Sequence, residues 1–115
     1  MRNPAVPFGD IVLARLPFSD GQGHKMRPIL VVCEFDDADI LVVPVTSQPV
    51  RDDFDTLLRD WQAAGLRLPS TARTCKLATL ARTMAVKVLG ELTPRDRESV
   101  QLSLHRVWAS ILDRR

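Results

Sequence analysis

Short apolar runs alternate with polar, Gly- and Pro-containing breaks through the first half of the chain. Gly9-Asp10 marks a turn, and Ile11-Val12-Leu13-Ala14-Arg15-Leu16, stopped by Pro17, reads as a strand. Pro17 to Arg27 carries Pro, Ser, Asp, two Gly and a His–Lys pair, which predicts a long flexible loop. Pro28 to Cys33 is nearly all apolar and predicts a second strand buried on both faces. Asp36 to Asp39 makes a turn, and Ile40 to Val45 a third strand, with Pro44 placing that part at an edge or bulge. Beyond Thr46-Ser47-Gln48-Pro49 and a polar acidic stretch, Phe54, Leu57, Leu58 and Trp61 recur at i, i+3, i+4 and i+7. That spacing predicts a short internal helix stopped at Gly65. Ser70 to Lys76 and Met84 to Leu92 read as further strands, with Leu77 to Leu80 between them. In the last segment Thr93 can cap a helix, Pro94 suits its first turn, and Asp96 stands where a capping box needs an acceptor. Val100, Leu104, Val107, Trp108 and Ile111 then form its apolar stripe. The sum is a mainly β fold: a small barrel with an internal helix and an amphipathic C-terminal helix packed on it.

Composition narrows this further. A chain of 115 residues, 45% apolar and 26% charged, fits one globular domain over 1–115. Two cysteines, Cys33 and Cys75, are too few for a disulfide-stapled secreted domain, so reduced thiols are expected. Met1-Arg2-Asn3-Pro4 leads into no apolar run of signal-peptide length. No stretch approaches the roughly 18 apolar residues of a membrane span. The expected location is the cytoplasm, with no membrane partner.

The net charge of +2 says little, but its distribution is uneven. Glu34 to Asp60 holds eight acidic and two basic residues, whereas Arg67 to Gly90 holds five basic and no acidic ones. A segment of one sign can focus a field on a polyanion, or can be a solvated strand face beside an acidic loop.

Candidate chemistry is sparse. There is no Cys-x-x-Cys, no His-x-x-x-His and no Gly-rich nucleotide loop, so neither a metal nor another cofactor is expected. His105 falls in the terminal helix as a surface or boundary residue, and Cys33 in an apolar strand as an inert buried thiol. The signal concentrates in Phe18 to Pro28. Arg27, set before Pro28 at the start of a strand, can present its planar fork to a phosphate. It can equally pair with Asp10 or Asp20. His24 is a candidate base, as an imidazole three residues from Arg27.

Gly9-Asp10-Ile11-Val12, Pro17-Phe18-Ser19-Asp20, Lys25-Met26-Arg27-Pro28 and Pro44-Val45-Thr46-Ser47 together resemble the MazF/PemK family of toxin endoribonucleases. The likeness continues through Ser70, Lys76-Leu77-Ala78-Thr79-Leu80 and Leu89-Gly90-Glu91-Leu92-Thr93, in order over nearly the whole chain. The resemblance implies an SH3-like barrel, a homodimer and metal-independent cleavage of single-stranded RNA. It also implies a cognate antitoxin protein, with operator DNA reached only through the antitoxin complex. The family's catalytic arginine matches Arg27 and its catalytic threonine Thr46. Beside them Lys25, Ser47 and Gln48 are candidate contacts to RNA. Phe18 could stack a base, and Arg73 and Lys76 could hold flanking phosphates. Many relatives carry an acidic residue where this chain has Cys75, which puts pairing around the site, and activity itself, in question. A competing reading is therefore a barrel that lost cleavage and serves as a regulatory binding module. A plain SH3-like peptide-binding domain is disfavoured, because such grooves are aromatic-lined and the chain has no Tyr.

Overall fold

The computed structural model describes residues 8–17, 21–36 and 38–113. β1 (Asp10–Pro17) and β2 (His24–Glu34) form an antiparallel hairpin, and β3 (Asp39–Thr46) pairs antiparallel with β2. Three further short strands are β4 (Asp55–Leu58), β5 (Ser70–Arg73) and β6 (Ala78–Ala81). A single 3-10 turn at Arg82–Met84 then leads into β7 (Ala85–Glu91), and the helix α1 spans Pro94–Leu112. The sheet runs β4-β5-β3-β2-β1-β7, with β6 added to β3.

Successive residues of the central strands enter different cores, which is why the middles of these strands, residues 11–14, 29–32 and 40–45, are apolar. Val12, Ala14, Ile29, Val31, Ile40 and Val42 pack as one core, with Leu80 and Ala85 against them. Ile11, Leu30, Val43, Val45, Leu58, Ala72 and Leu92 form the other core together with Val100 of α1. Each fully buried Val, Leu or Ile among these contributes about 1.5–3 kcal/mol on burial. Among the described residues no ladder joins β6 to β7, so the barrel stays open there and is bridged only by the 3-10 turn.

Several expectations are corrected. β2 begins at His24, not Pro28, because Pro17 and Leu16 of β1 extend the ladder to His24 and Lys25. The loop is correspondingly shorter, and Arg27 lies inside a hairpin opposite Ala14. Pro44 is not at an edge. It faces Ile29 in an internal strand, where the outer neighbour changes from β6, paired up to Val42, to β5, paired from Val45. The internal helix does not form. Leu57 is 52% exposed while Leu58 is fully buried, the period-two pattern of β4. Trp61 belongs to the turn after it, closed by Ala64 N–H to Asp60 O (3.1 Å) and Leu66 N–H to Trp61 O (3.0 Å). Cys33 is exposed rather than buried, because a register shift between Val31 and Cys33 interrupts the alternation.

Thr93 does stand at the N-cap of α1 and Pro94 opens the helix, but no side-chain cap bond is made. The Thr93 hydroxyl donates instead to Asp60 (2.5 Å). Asp96, fully buried, accepts the backbone N–H groups of Arg59 (2.9 Å) and Asp60 (2.7 Å) in place of a capping-box bond. The apolar stripe is shorter than expected. Val100, Ser103 and Val107 are buried, with the Ser103 hydroxyl accepting from Thr56 (2.5 Å), whereas Trp108 and Ile111 are 60% and 57% exposed. Among the described residues no helix is long and apolar enough to cross a membrane.

Asp60 also receives Arg95 Nε (2.8 Å) and Nη2 (2.7 Å), and these bonds, with that from Thr93, pull its carboxyl down to about 2. A depressed folded-state value stabilises the fold above the ordinary carboxylate range, and that contribution is lost as pH falls toward 2. Thermal melts of wild type and Asp60→Asn should therefore differ at pH 6 and converge near pH 2. Equal melting temperatures at pH 6 would contradict the link.

Candidate functional site

The β2–β3 register sets the site. The β2–β3 ladder ends at Ile29 facing Pro44, with Arg27 two residues before Ile29 and Thr46 two residues after Pro44, at the same end of the sheet. Both line a groove of about 780 Å³. β2 contributes Lys25 to it, the segment after β3 contributes Ser47 and Gln48, and the turn after β5 contributes Lys76. The segment Gly65–Leu68 forms another part of the lining. Arg67 is thus a groove residue that the sequence offered only as the first member of a basic run.

Among the described residues, five cations, Lys25, Arg27, Arg67, Arg73 and Lys76, line the groove, and no carboxylate, His or Cys does. Arg73 departs from its expected role as a free phosphate contact. Its guanidinium is buried and paired with the buried Asp55 carboxylate, which also accepts the Arg51 N–H (2.9 Å). The pair sits beneath the groove as a neutralised unit and leaves four cations available. Arg27 is exposed, and among the described residues no carboxylate pairs with it. The alternative partner Asp10 lies four residues from Arg27's ladder neighbour, at the other end of β1. Burial and the charge of Glu91 push the Asp10 carboxyl up, with Arg97 acting in the opposite sense. The other alternative, Asp20, lies outside the described residues, as does Phe18.

The Thr46 hydroxyl oxygen accepts the Gln48 N–H (3.2 Å) at the strand end. That bond fixes the side chain and leaves the hydroxyl proton free to be donated into the groove. His24 opens β2 opposite Pro17, is exposed, and is not part of the groove lining. His105 is exposed on α1, as expected of a surface residue. Cys75 is exposed in the turn that Lys76 N–H closes onto Arg73 O (3.0 Å).

The class so defined is a small open-barrel β protein with one terminal helix and a cationic groove at the end of its central strands. Residues 8–108 match the model of the PemK-like, MazF-like toxin of type II toxin–antitoxin systems, and the chain belongs to that family. Its fold is similar to a mycobacterial endoribonuclease in complex with its cognate antitoxin (TM-score 0.75, 17% identity, 91% of this chain and 96% of that one). It is also similar to the Mycobacterium tuberculosis toxin MazF-mt6 (TM-score 0.71, 17% identity, 86% and 95%). A third likeness is to the MazE–MazF structure of Deinococcus radiodurans (TM-score 0.70, 18% identity, 98% and 100%). No curated protein sequence matches the chain significantly.

Proposed function

We propose that this chain is the toxin of its module and a metal-independent endoribonuclease that cuts single-stranded RNA. One observation carries the reading: Arg27 and Thr46 line one groove with Lys25, Arg67 and Lys76, and among the described residues no carboxylate lines that groove or pairs with Arg27. In the reaction the ribose 2′-OH attacks the adjacent phosphorus. The bond to the 5′-oxygen breaks, leaving a 2′,3′-cyclic phosphate and a 5′-hydroxyl. Negative charge grows on the non-bridging oxygens in the transition state. Arg27 meets it with two charge-assisted bonds and Thr46 with its hydroxyl, the kind of electrostatic stabilisation that is often the largest catalytic contribution. Among the described residues the groove lining offers no His or carboxylate, and a guanidinium yields a proton reluctantly. In this reading the 2′-OH proton leaves to water, and water supplies the proton that the 5′-oxygen takes up.

The proposed partners are single-stranded RNA, a cognate antitoxin, a second copy of the chain, and operator DNA only by way of the antitoxin. The site of action is the cytoplasm. The mycobacterial and Deinococcus structures with their antitoxins support the antitoxin assignment. Cys75, standing where many relatives have an acid, favours a second reading in which cleavage is lost and the barrel acts as an antitoxin-binding regulator. Incubating the purified chain with a long single-stranded RNA in EDTA separates the two. Discrete fragments support the nuclease; intact RNA with retained antitoxin binding supports the regulator.

A further inference from the structure

The groove holds more cationic charge than one scissile phosphate requires, and part of it stands on a segment with its own supports. Resting on the RNA-cleaving reading above, we infer that Arg67 and Leu68 form a second nucleotide subsite. Arg67 binds a phosphate adjacent to the scissile one, and Leu68 carries the face of the attached base.

The segment is built to hold these two side chains out. Leu66 is buried and its N–H donates to Trp61 O (3.0 Å). The Leu68 carbonyl accepts from the Ser70 hydroxyl (2.6 Å). Arg67 is thus bracketed by two fixed neighbours. Gly65, at φ +89°, presses its backbone on β7 so closely that a Cβ there would lie 2.2 Å from Leu89 O. A Cβ on Gly90 would in turn lie 2.4 Å from Ala64 O. The buried Asp96 carboxylate fixes the start of the same segment at Arg59 and Asp60. The backbone that carries this cation is thus ordered before RNA binds, so binding has only the Arg67 side chain left to order, which is the advantage of preorganisation.

The two exposed side chains have the chemistry of a nucleotide. Arg67 is exposed and, among the described residues, has no carboxylate partner, unlike Arg73 beneath the groove. Leu68 is 58% exposed and supplies an apolar surface in a chain without Tyr. The groove volume of about 780 Å³ lies in the range that encloses a whole small ligand rather than one phosphate.

The test uses binding, so that it does not depend on cleavage. In an Arg27→Ala background, the affinity for a fluorescent single-stranded oligoribonucleotide is measured across salt concentrations. Adding Arg67→Ala should weaken binding about tenfold and lower the log–log salt slope by about 0.7, the loss of one phosphate contact. Arg67→Lys should restore the slope. Arg106→Ala, which removes an exposed cation of α1 outside the groove, should leave both quantities unchanged. In the cleaving protein, Arg67→Ala should raise KM with kcat held within about twofold. Leu68→Ser should redistribute cleavage among sites without altering the slope. A slope unmoved by Arg67→Ala, or moved equally by Arg106→Ala, overturns the subsite while leaving the nuclease reading intact. Failure of the parent protein to bind RNA at all overturns both.

Discussion

Replacing Arg27 by alanine is expected to lower RNA cleavage by about 10²–10³-fold, the usual loss when a transition-state donor is removed. The fold should be unaffected, because Arg27 is exposed and has no carboxylate partner among the described residues. Its immediate strand context is set by backbone pairing with Ala14, which alanine preserves. Arg27→Lys should fall between, since lysine keeps the charge but not the two-pronged donor. His24→Ala should cost only roughly a few-fold. A true general base would cost about 10²–10⁴-fold, and His24 lies outside the groove lining. Initial rates on one defined RNA, with circular dichroism to verify folding, check all three. Full activity in Arg27→Ala would remove the site assignment.

The largest stability effect is expected at Asp96. This carboxylate is fully buried and is the acceptor for two backbone N–H groups, those of Arg59 and Asp60. Asp96→Ala leaves both donors without their partner, at about 1–3 kcal/mol each. It also removes an anion from the first turn of α1, where the helix dipole favours one. A total near 3 kcal/mol is expected, and each kcal/mol lowers the melting temperature of a domain this size by roughly 4–8 °C. Asp96→Asn retains one oxygen acceptor and should lose less. A melting temperature unchanged in Asp96→Ala would show that the turn before β5 holds its shape without this contact.

How much of this was legible in the sequence depends on whether a residue's partner is local. The apolar runs of β1, β2 and β3 fixed their identity as strands, since burial on both faces leaves little other choice. The helix α1 was legible from Pro94 and its period, but where its stripe meets solvent was not. Periodicity marks a face and cannot say where the sheet beneath it ends: Trp108 and Ile111 keep the period, yet burial stops at Val107. The spacing of Phe54, Leu57, Leu58 and Trp61 fits a helix as well as a strand followed by a turn. What decides for β4 is the pairing of Asp55 with Arg73, eighteen residues away. Asp96 carried a capping signature, yet its acceptor role is taken by the turn at Arg59 and Asp60. At the site, the residues alone left Arg27 divided between a phosphate and a carboxylate, and the family resemblance tipped the balance. The end of the β2–β3 ladder places Arg27 and Thr46 in one groove. The β4–β5 pairing shows what composition could not, that Arg73 is neutralised by Asp55, and the groove takes in Arg67 as well.

The central claim is that the Arg27–Thr46 end of the groove cleaves RNA through attack by the 2′-OH. End-group analysis of the products made in EDTA tests it most directly. The account predicts fragments whose 5′ ends accept phosphate from a kinase without prior dephosphorylation and whose 3′ ends carry a 2′,3′-cyclic phosphate. Fragments bearing 5′-phosphates, or cleavage seen only when a divalent cation is restored, would contradict it.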